Sequence, residues 1–218
     1  MKRHTIIVAG GIGKRMGSDL PKQFIVVKGL PILGHTLNVF HSFDPEMELI
    51  VVLPSDWQDY WKNECEQFNL PAHRVVDGGK ERFHSVLEGL KACAPGSLVA
   101  IHDAVRPLVS VDTIARCFAS AESEGGAVPV IAVNESLRQV KGDQNSHVDR
   151  ADYRVVQTPQ CFRYDELIRG YDAGFQSHFT DDASVYESLG KAVTMVEGNV
   201  ENIKVTSPMD LVLLEGLI

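Results

Sequence analysis

The chain of 218 residues has no apolar run long enough to cross a bilayer, no Cys-x-x-Cys pair, no internal repeat and no excess of positive charge. Each absence excludes a class of protein. A membrane helix needs about 20 consecutive apolar residues, and the few apolar positions before the first glycines are too short for a signal peptide, so a cytoplasmic protein is expected. A formal net charge of −8 gives no positive field for a nucleic acid or an anionic membrane, and neither partner is expected. Cys65, Cys93, Cys117 and Cys161 stand far apart and suggest neither a zinc site nor a disulfide framework, so they read as ordinary buried thiols. No linker or low-complexity segment interrupts residues 1–218, which read as one α/β domain.

The sequence does hold a glycine-rich loop, Val8-Ala-Gly-Gly-Ile-Gly-Lys-Arg-Met-Gly17, followed shortly by Pro21-Lys22-Gln23. Thr5 to Ala9 read as a buried strand, which places Gly10, Gly11 and Gly13 at its carboxyl end. Glycines there let backbone N–H groups approach an anion, and Lys14, Arg15 and Lys22 bring three cations to the same place. A polyphosphate is the expected guest. The loop matches neither common phosphate motif: a Walker A loop would need glycine where Val8 stands and a hydroxyl where Arg15 stands, and a dinucleotide fingerprint would need glycine at Met16.

Beyond the loop the pattern alternates strand and helix. An apolar face at helical spacing covers Ile32 to Phe40, Glu48 to Leu53 is a continuous apolar strand, and Ser55 or Asp56 should cap a helix through Phe68. Trp57, Tyr60, Trp61 and Phe68 on that helix read as core or subunit contact, not as a base-stacking platform. Val75-Val76 leads into a second glycine loop, Asp77 to Arg82, then a helix over 83–93 with Ser85 on its first turn. In open α/β sheets ligands collect at such strand ends, so this loop could floor a nucleotide site. Leu98 to His102 is another apolar strand and delivers Asp103 at its end. Because the helix over 111–124 has its own cap in Ser110 or Asp112, Asp103 is read as holding a magnesium ion that faces a polyphosphate, in preference to capping or an ion pair with Arg106. His102 reads as a satisfied strand-end histidine.

A strand over 127–133 follows Gly125-Gly126, after which residues of about 134–152 form a thin hairpin arm that cannot bury its own apolar side chains and is expected to pack on a second subunit. Further on, the pattern gives a helix over 164–173, a short helix capped by Thr180, and short strands over 193–197 and 202–205. The last helix starts at Ser207, with Pro208 and Asp210 behind it and Leu211, Leu213, Leu214 and Leu217 as anchors.

Taken in order, Gly10 to Met16 with Pro21-Lys-Gln23, Asp77-Gly-Gly79, His102-Asp-Ala-Val-Arg-Pro107, Val148-Asp-Arg150, Thr158-Pro-Gln160, Thr180-Asp181 and Asn202-Ile-Lys-Val-Thr206 resemble the 2-C-methyl-D-erythritol 4-phosphate cytidylyltransferase family, within the wider nucleotidyltransferases. The resemblance implies a Rossmann-like, mostly parallel twisted sheet with helices on both faces and a protruding β-hairpin dimerisation arm. It also implies transfer of CMP from CTP to methylerythritol phosphate, a Mg2+ cofactor and a homodimer. By motif, Ala9, Gly10, Gly11, Gly13, Gly79, Lys80 and Ser85 would bind CTP. Arg15, Lys22 and Lys204 would be catalytic, Asp103 would hold the metal, and Arg106, Thr158, Thr180 and Glu201 would lie near the substrates. Ser136 and Arg150 of the partner's arm would bind the acceptor.

The chain departs from the family pattern in several places. Ala9-Gly10-Gly11 replaces Ala-Ala-Gly, Val105 stands for an alanine, Ser136 for a threonine and Lys80 for an acidic residue. Glu201 is one methylene longer than the family's aspartate and fits a metal role poorly. Two other readings compete: a cytidylyltransferase for ribitol 5-phosphate or another polyol phosphate, and a CTP-binding regulatory module without turnover. Val148-Asp-Arg150 favours the methylerythritol enzyme.

Overall fold

A computed structural model describes residues 1–11 and 20–218, so Gly13 and Arg15 lie outside the described residues. Its frame is a mixed, mostly parallel sheet of eight strands. The strands are β1 (Arg3–Val8), β4 (Glu48–Leu53), β5 (Arg74–Asp77), β6 (Leu98–Asp103), β7 (Gly126–Ala132), β10 (Arg154–Val156), β11 (Gln160–Arg163) and β12 (Thr194–Glu197), while β2 (Val26–Val27) and β3 (Leu30–Pro31) pair with each other in a small separate ribbon. Their order is β10-β7-β11-β6-β1-β4-β5, with β12 also on β7. Pairing is parallel through β6, β1, β4 and β5 and between β12 and β7, and antiparallel where β10 and β11 join.

The apolar runs explain the layers. Side chains alternate across a strand, so a strand that is apolar at every position must be covered on both faces. On one face Ile7, Leu49, Val51 and Ala100 pack with Leu37, Trp61 and Phe118 from α1 (Ile32–Phe43), α2 (Gln58–Phe68) and α4 (Val111–Glu124). On the other, Ile6, Ile50, Val52 and Ile101 pack with Val86, Leu167 and Tyr186 from α3 (Arg82–Lys91), α5 (Tyr164–Asp172) and α6 (Asp182–Glu187). Trp57, Tyr60 and Trp61 surround the Phe24 ring at centroid distances of 5.5, 5.1 and 5.7 Å, which bears out their reading as core. Cys93, Cys117 and Cys161 are buried and Cys65 partly so, all as free thiols, and burial pushes Cys65 to about 11 and Cys93 to about 12. Among the described residues no helix is long and apolar enough to cross a membrane.

Strand order fixes where a ligand can enter. After β1 the chain goes to β4 and β5 on one side, then returns to place β6 on the other. The order reverses beside β1, and at such a switch point the crossovers part to leave a crevice at the carboxyl ends. Val8 stands opposite Asp103 in the β1–β6 register, so the first glycine turn and the acidic residue flank that crevice.

Several local expectations are corrected. Residues 55–57 form a 3₁₀ turn before α2, and neither Ser55 nor Asp56 makes a side-chain capping bond. Asp181, not Thr180, caps α6, accepting from the Ser184 N–H at 2.9 Å, while Thr180 only donates its backbone N–H to the Ser184 hydroxyl. Residues 202–205 form no strand, because their polar groups bond Thr158, Arg106 and the Val105 carbonyl instead of a ladder. In α7 (Pro208–Leu217) the Ser207–Asp210 capping box is present, but Leu214 alone is fully buried, and Leu213 and Leu217 are about half exposed. The arm does form a hairpin, β8 (Leu137–Lys141) with β9 (Gln144–Val148), separate from the main sheet and exposed along most of its length.

Candidate active site

The crevice is a cleft of about 340 Å³. Its first wall is the end of β1 and the glycines after it. The Ala9 N–H donates to the Val52 carbonyl at 2.9 Å, and the buried Gln23 amide donates to the Ala9 carbonyl at 2.8 Å, so this turn is tied from both sides. Lys22, one residue before Gln23, reaches the cleft and donates to the Val205 carbonyl at 2.8 Å.

The second wall is the glycine loop between β5 and α3. The Ser85 hydroxyl, buried on the first turn of α3, accepts from the Gly79 N–H at 3.0 Å and fixes the loop against the helix. A Cβ at Gly79 would collide with His84, so the loop can follow this path only with glycine there. Lys80 and Arg82 line the same wall.

Asp103 forms the third wall with Lys204 opposite. One carboxylate oxygen, Oδ2, lies 3.1 Å from Lys204 Nζ and 3.1 Å from Arg106 Nε. Burial alone would raise the carboxyl's pKa, but Lys204, Arg82 and Arg106 outweigh it and hold the group well below the usual carboxylate range. Behind it, the Asp103 N–H donates to the Thr158 hydroxyl at 3.1 Å, and that hydroxyl also meets His102 Nδ1 at 3.0 Å. His102 is fully buried, and burial pushes it down to about 4, so the ring is neutral, as expected of a satisfied strand-end histidine.

The cleft therefore gathers Ala9, Gly10, Gly11, Lys22, Gly79, Lys80, Ser85, Asp103 and Lys204. Thr158 and Arg106 stand behind it: Arg106 Nη1 donates to the Asn202 carbonyl at 2.8 Å, so the side chain braces Asp103. Thr180 lines a neighbouring cavity of about 210 Å³, which shares Glu81 and Arg82 with the cleft. Glu201 lies at the surface and accepts from the Asn199 amide, outside the cleft lining. Ser136 and Arg150 are exposed and do not line the cleft of their own chain. Gln23, Arg82 and Thr206 line it without having been singled out from sequence. The Gln23 signal was its place beside Lys22; Arg82 carried none, because its partner Asp182 is a hundred residues away.

Asp103, a cleft-facing carboxylate kept ionised, suits a hard divalent cation that takes most of its ligands from substrate phosphates and water. Among the described residues no group of three His, Cys, Asp or Glu side chains could cage a metal by itself.

A glycine turn after the first strand, an ionised aspartate on the adjacent strand and lysines around both, at the switch point of an α/β sheet, mark a nucleotide-binding enzyme of the nucleotidyltransferase class. Residues 3–218 match the family described as 2-C-methyl-D-erythritol 4-phosphate cytidylyltransferase, and the chain belongs to that family. It is 48% identical over 219 residues to the protein of that name from Bacteroides fragilis, covering 100% of both chains. It is 49% identical over 220 residues to the one from Porphyromonas gingivalis, covering 100% of this chain and 98% of the relative. The crystal structure of the Thermus thermophilus protein of the same name superposes with a TM-score of 0.82 at 33% identity, covering 100% of this chain and 98% of that one.

Proposed function

We propose that this protein transfers CMP from CTP to 2-C-methyl-D-erythritol 4-phosphate, releasing pyrophosphate and forming 4-CDP-2-C-methyl-D-erythritol for isoprenoid precursor synthesis. The observation that carries this reading is the cleft's charge pattern, in which Lys204 and Arg82 act on one ionised Asp103, with Lys22 in the same lining, beside two glycine turns.

An acceptor phosphate oxygen attacks the α-phosphorus of CTP, a P–O bond forms, and the bond to the β-phosphate bridging oxygen breaks with its electrons on pyrophosphate. A phosphate monoester loses its second proton near pH about 6, so at neutral pH the nucleophile is already a dianion and needs no strong general base. Two anions must instead be brought together and the charge building on the α-phosphoryl group stabilised, which is work for positioned cations. Lys22, tied to the Val205 carbonyl, and Lys204, beside Asp103, fill that role in the cleft, with Arg15 of the first loop as a third. Asp103 would hold the divalent cation, read here as Mg2+, which supplies charge neutralisation on the phosphates. The turn at Gly10-Gly11 would offer backbone donors to the nucleotide, whereas the N–H groups of Gly78 and Gly79 already donate to the Leu53 carbonyl and the Ser85 hydroxyl, so the second turn would serve as a fixed backbone surface against it.

Ser136 and Arg150 lie on or beside an exposed two-stranded arm that has no core of its own. A homodimer in which each arm delivers these side chains to the other chain's cleft would both cover the arm and complete the acceptor site. A cytoplasmic location belongs to the same reading, and the net charge of −8 is compatible with it. Pyrophosphate release from CTP and Mg2+ tests the reaction, with methylerythritol 4-phosphate and ribitol 5-phosphate offered separately. Release with the first and little with the second is expected.

A further inference from the structure

Arg82 is the first residue of α3 and, among the described residues, the cation common to the main cleft and the neighbouring cavity. Its Nη1 donates to Asp182 Oδ1 at 2.8 Å and its Nη2 to Oδ2 at 2.6 Å, a two-pronged pair. Asp182 opens α6 and is completely buried, and the Tyr171 hydroxyl from α5 donates to its Oδ1 at 2.6 Å. Three helices thus hold one guanidinium.

Such a pair could serve only to staple helices, and buried ion pairs are weak evidence of anything more. Three features go beyond a staple here. The aspartate is 0% exposed while the arginine side chain keeps 32%, so the positive end of the pair faces the cleft. A guanidinium has five N–H donors. The clamp uses one on each Nη, and Nε–H and the second proton of each Nη have no protein partner among the described residues. Finally, Arg82 lines the same cleft as Asp103 and Lys204, so its charge faces the space where the phosphates would react.

We propose that Arg82 contacts substrate, presenting its free N–H donors to a phosphate oxygen, and that Asp182 and Tyr171 are positioning residues that aim it. This rests on the reaction assigned above. The phosphate could belong to the nucleoside triphosphate or to the acceptor's phosphomonoester; both chemistries suit a guanidinium fork. Pre-set orientation is what Asp182 adds, since an arginine already clamped loses little rotamer freedom when the anion arrives.

The test is pyrophosphate release with each substrate varied in turn, at several salt concentrations, for wild type, Arg82→Gln, Arg82→Lys and Tyr171→Phe, beside thermal melting. Arg82→Gln should raise KM for one substrate about tenfold or more, as for loss of a hydrogen bond to a charged group, and should flatten that KM's dependence on salt. A rise for CTP identifies the triphosphate and a rise for the acceptor identifies its phosphomonoester. Arg82→Lys should recover part of the loss, and Tyr171→Phe should move the same KM by less. A folded Arg82→Gln with both KM values and their salt dependence unchanged would overturn the inference, whatever happens to Tm. If Arg82→Gln does not fold, unchanged KM values in both Arg82→Lys and Tyr171→Phe overturn it. If the wild type releases no pyrophosphate, the assigned reaction fails by itself. Calorimetric titration of CTP and of methylerythritol phosphate then decides, with equal affinities for wild type and a folded Arg82 variant counting against the proposal.

Discussion

Lys204 Nζ lies 3.1 Å from Asp103 Oδ2, although about a hundred residues separate the two in sequence. The pair closes one end of the cleft with opposite charges facing each other, and Arg106 braces the same carboxylate oxygen from behind. When a triphosphate and a cation enter, Lys204 can turn to phosphate and Asp103 to metal, each leaving a partner of opposite charge for another. Replacing Asp103 by Asn removes the charge that anchors Arg106 and Lys204 and, among the described residues, the only aspartate that lines the cleft. Turnover should fall by at least about a hundredfold, as for loss of a preorganised charge contact, and the Mg2+ concentration needed for half-maximal activity should rise. Titration of the residual activity with Mg2+ checks both.

Lys22 sits one residue before Gln23, whose amide holds the Ala9 carbonyl, so its backbone is fixed to the first glycine turn. Lys22→Ala should lower kcat by about a hundredfold or more while Tm changes little. Near-normal turnover in steady-state assays would defeat its assignment to the phosphates.

Gly79 has no room for a side chain, because a Cβ would run into His84. In Gly79→Ala the loop must move off Ser85, which now accepts its N–H. CTP affinity, measured by calorimetry, should weaken more than affinity for the acceptor.

His4, His73 and His102 are each held neutral by burial, their pKa values lowered and that of His102 to about 4. Unfolded, each takes its proton near about 6.5. Below that pH the unfolded chain binds protons that the folded chain refuses, so stability is complete above about pH 6.5 and is lost progressively as pH falls toward about 4. Asp103, with its pKa depressed, keeps its contribution until more acid conditions. Melting curves taken from neutral pH downward should therefore show Tm dropping before the carboxylates titrate, and a flat Tm over that range would contradict the burial argument.

The arm hypothesis predicts that sedimentation gives a dimer and that two inactive variants rescue each other. Arg150→Ala damages the site a chain lends to its neighbour, and Lys22→Ala damages the site it keeps. Mixed dimers should regain activity by pairing one intact cleft with one intact arm. Activity that stays at the level of the separate variants would leave Arg150 without a role across the interface.

How far the sequence carried depends on the range of each interaction. Strands such as β4 and β6 were legible because both faces are apolar, and the cap at Ser207 because a cap is settled within three residues, while the choice between Ser110 and Asp112 fell to Ser110 only in the structure. Asp103 was legible from its place at a strand end. By contrast, Asn202 to Val205 looks like a strand, but its polar groups meet Gln157, Thr158 and Arg106, partners more than forty residues away. Thr180 and Asp181 are both good cap residues side by side, and local pattern could not choose between them. Arg106 was expected near substrate, and its inward bonds to Asp103 and the Asn202 carbonyl depend on a turn that sequence does not specify.

Whether this cleft joins CTP to methylerythritol 4-phosphate is read most directly from pyrophosphate release with CTP and Mg2+ and one acceptor at a time. Rapid, Mg2+-dependent release with methylerythritol 4-phosphate and little with ribitol 5-phosphate is expected. Equal or faster release with ribitol 5-phosphate, or CTP binding without release under either acceptor, would contradict it.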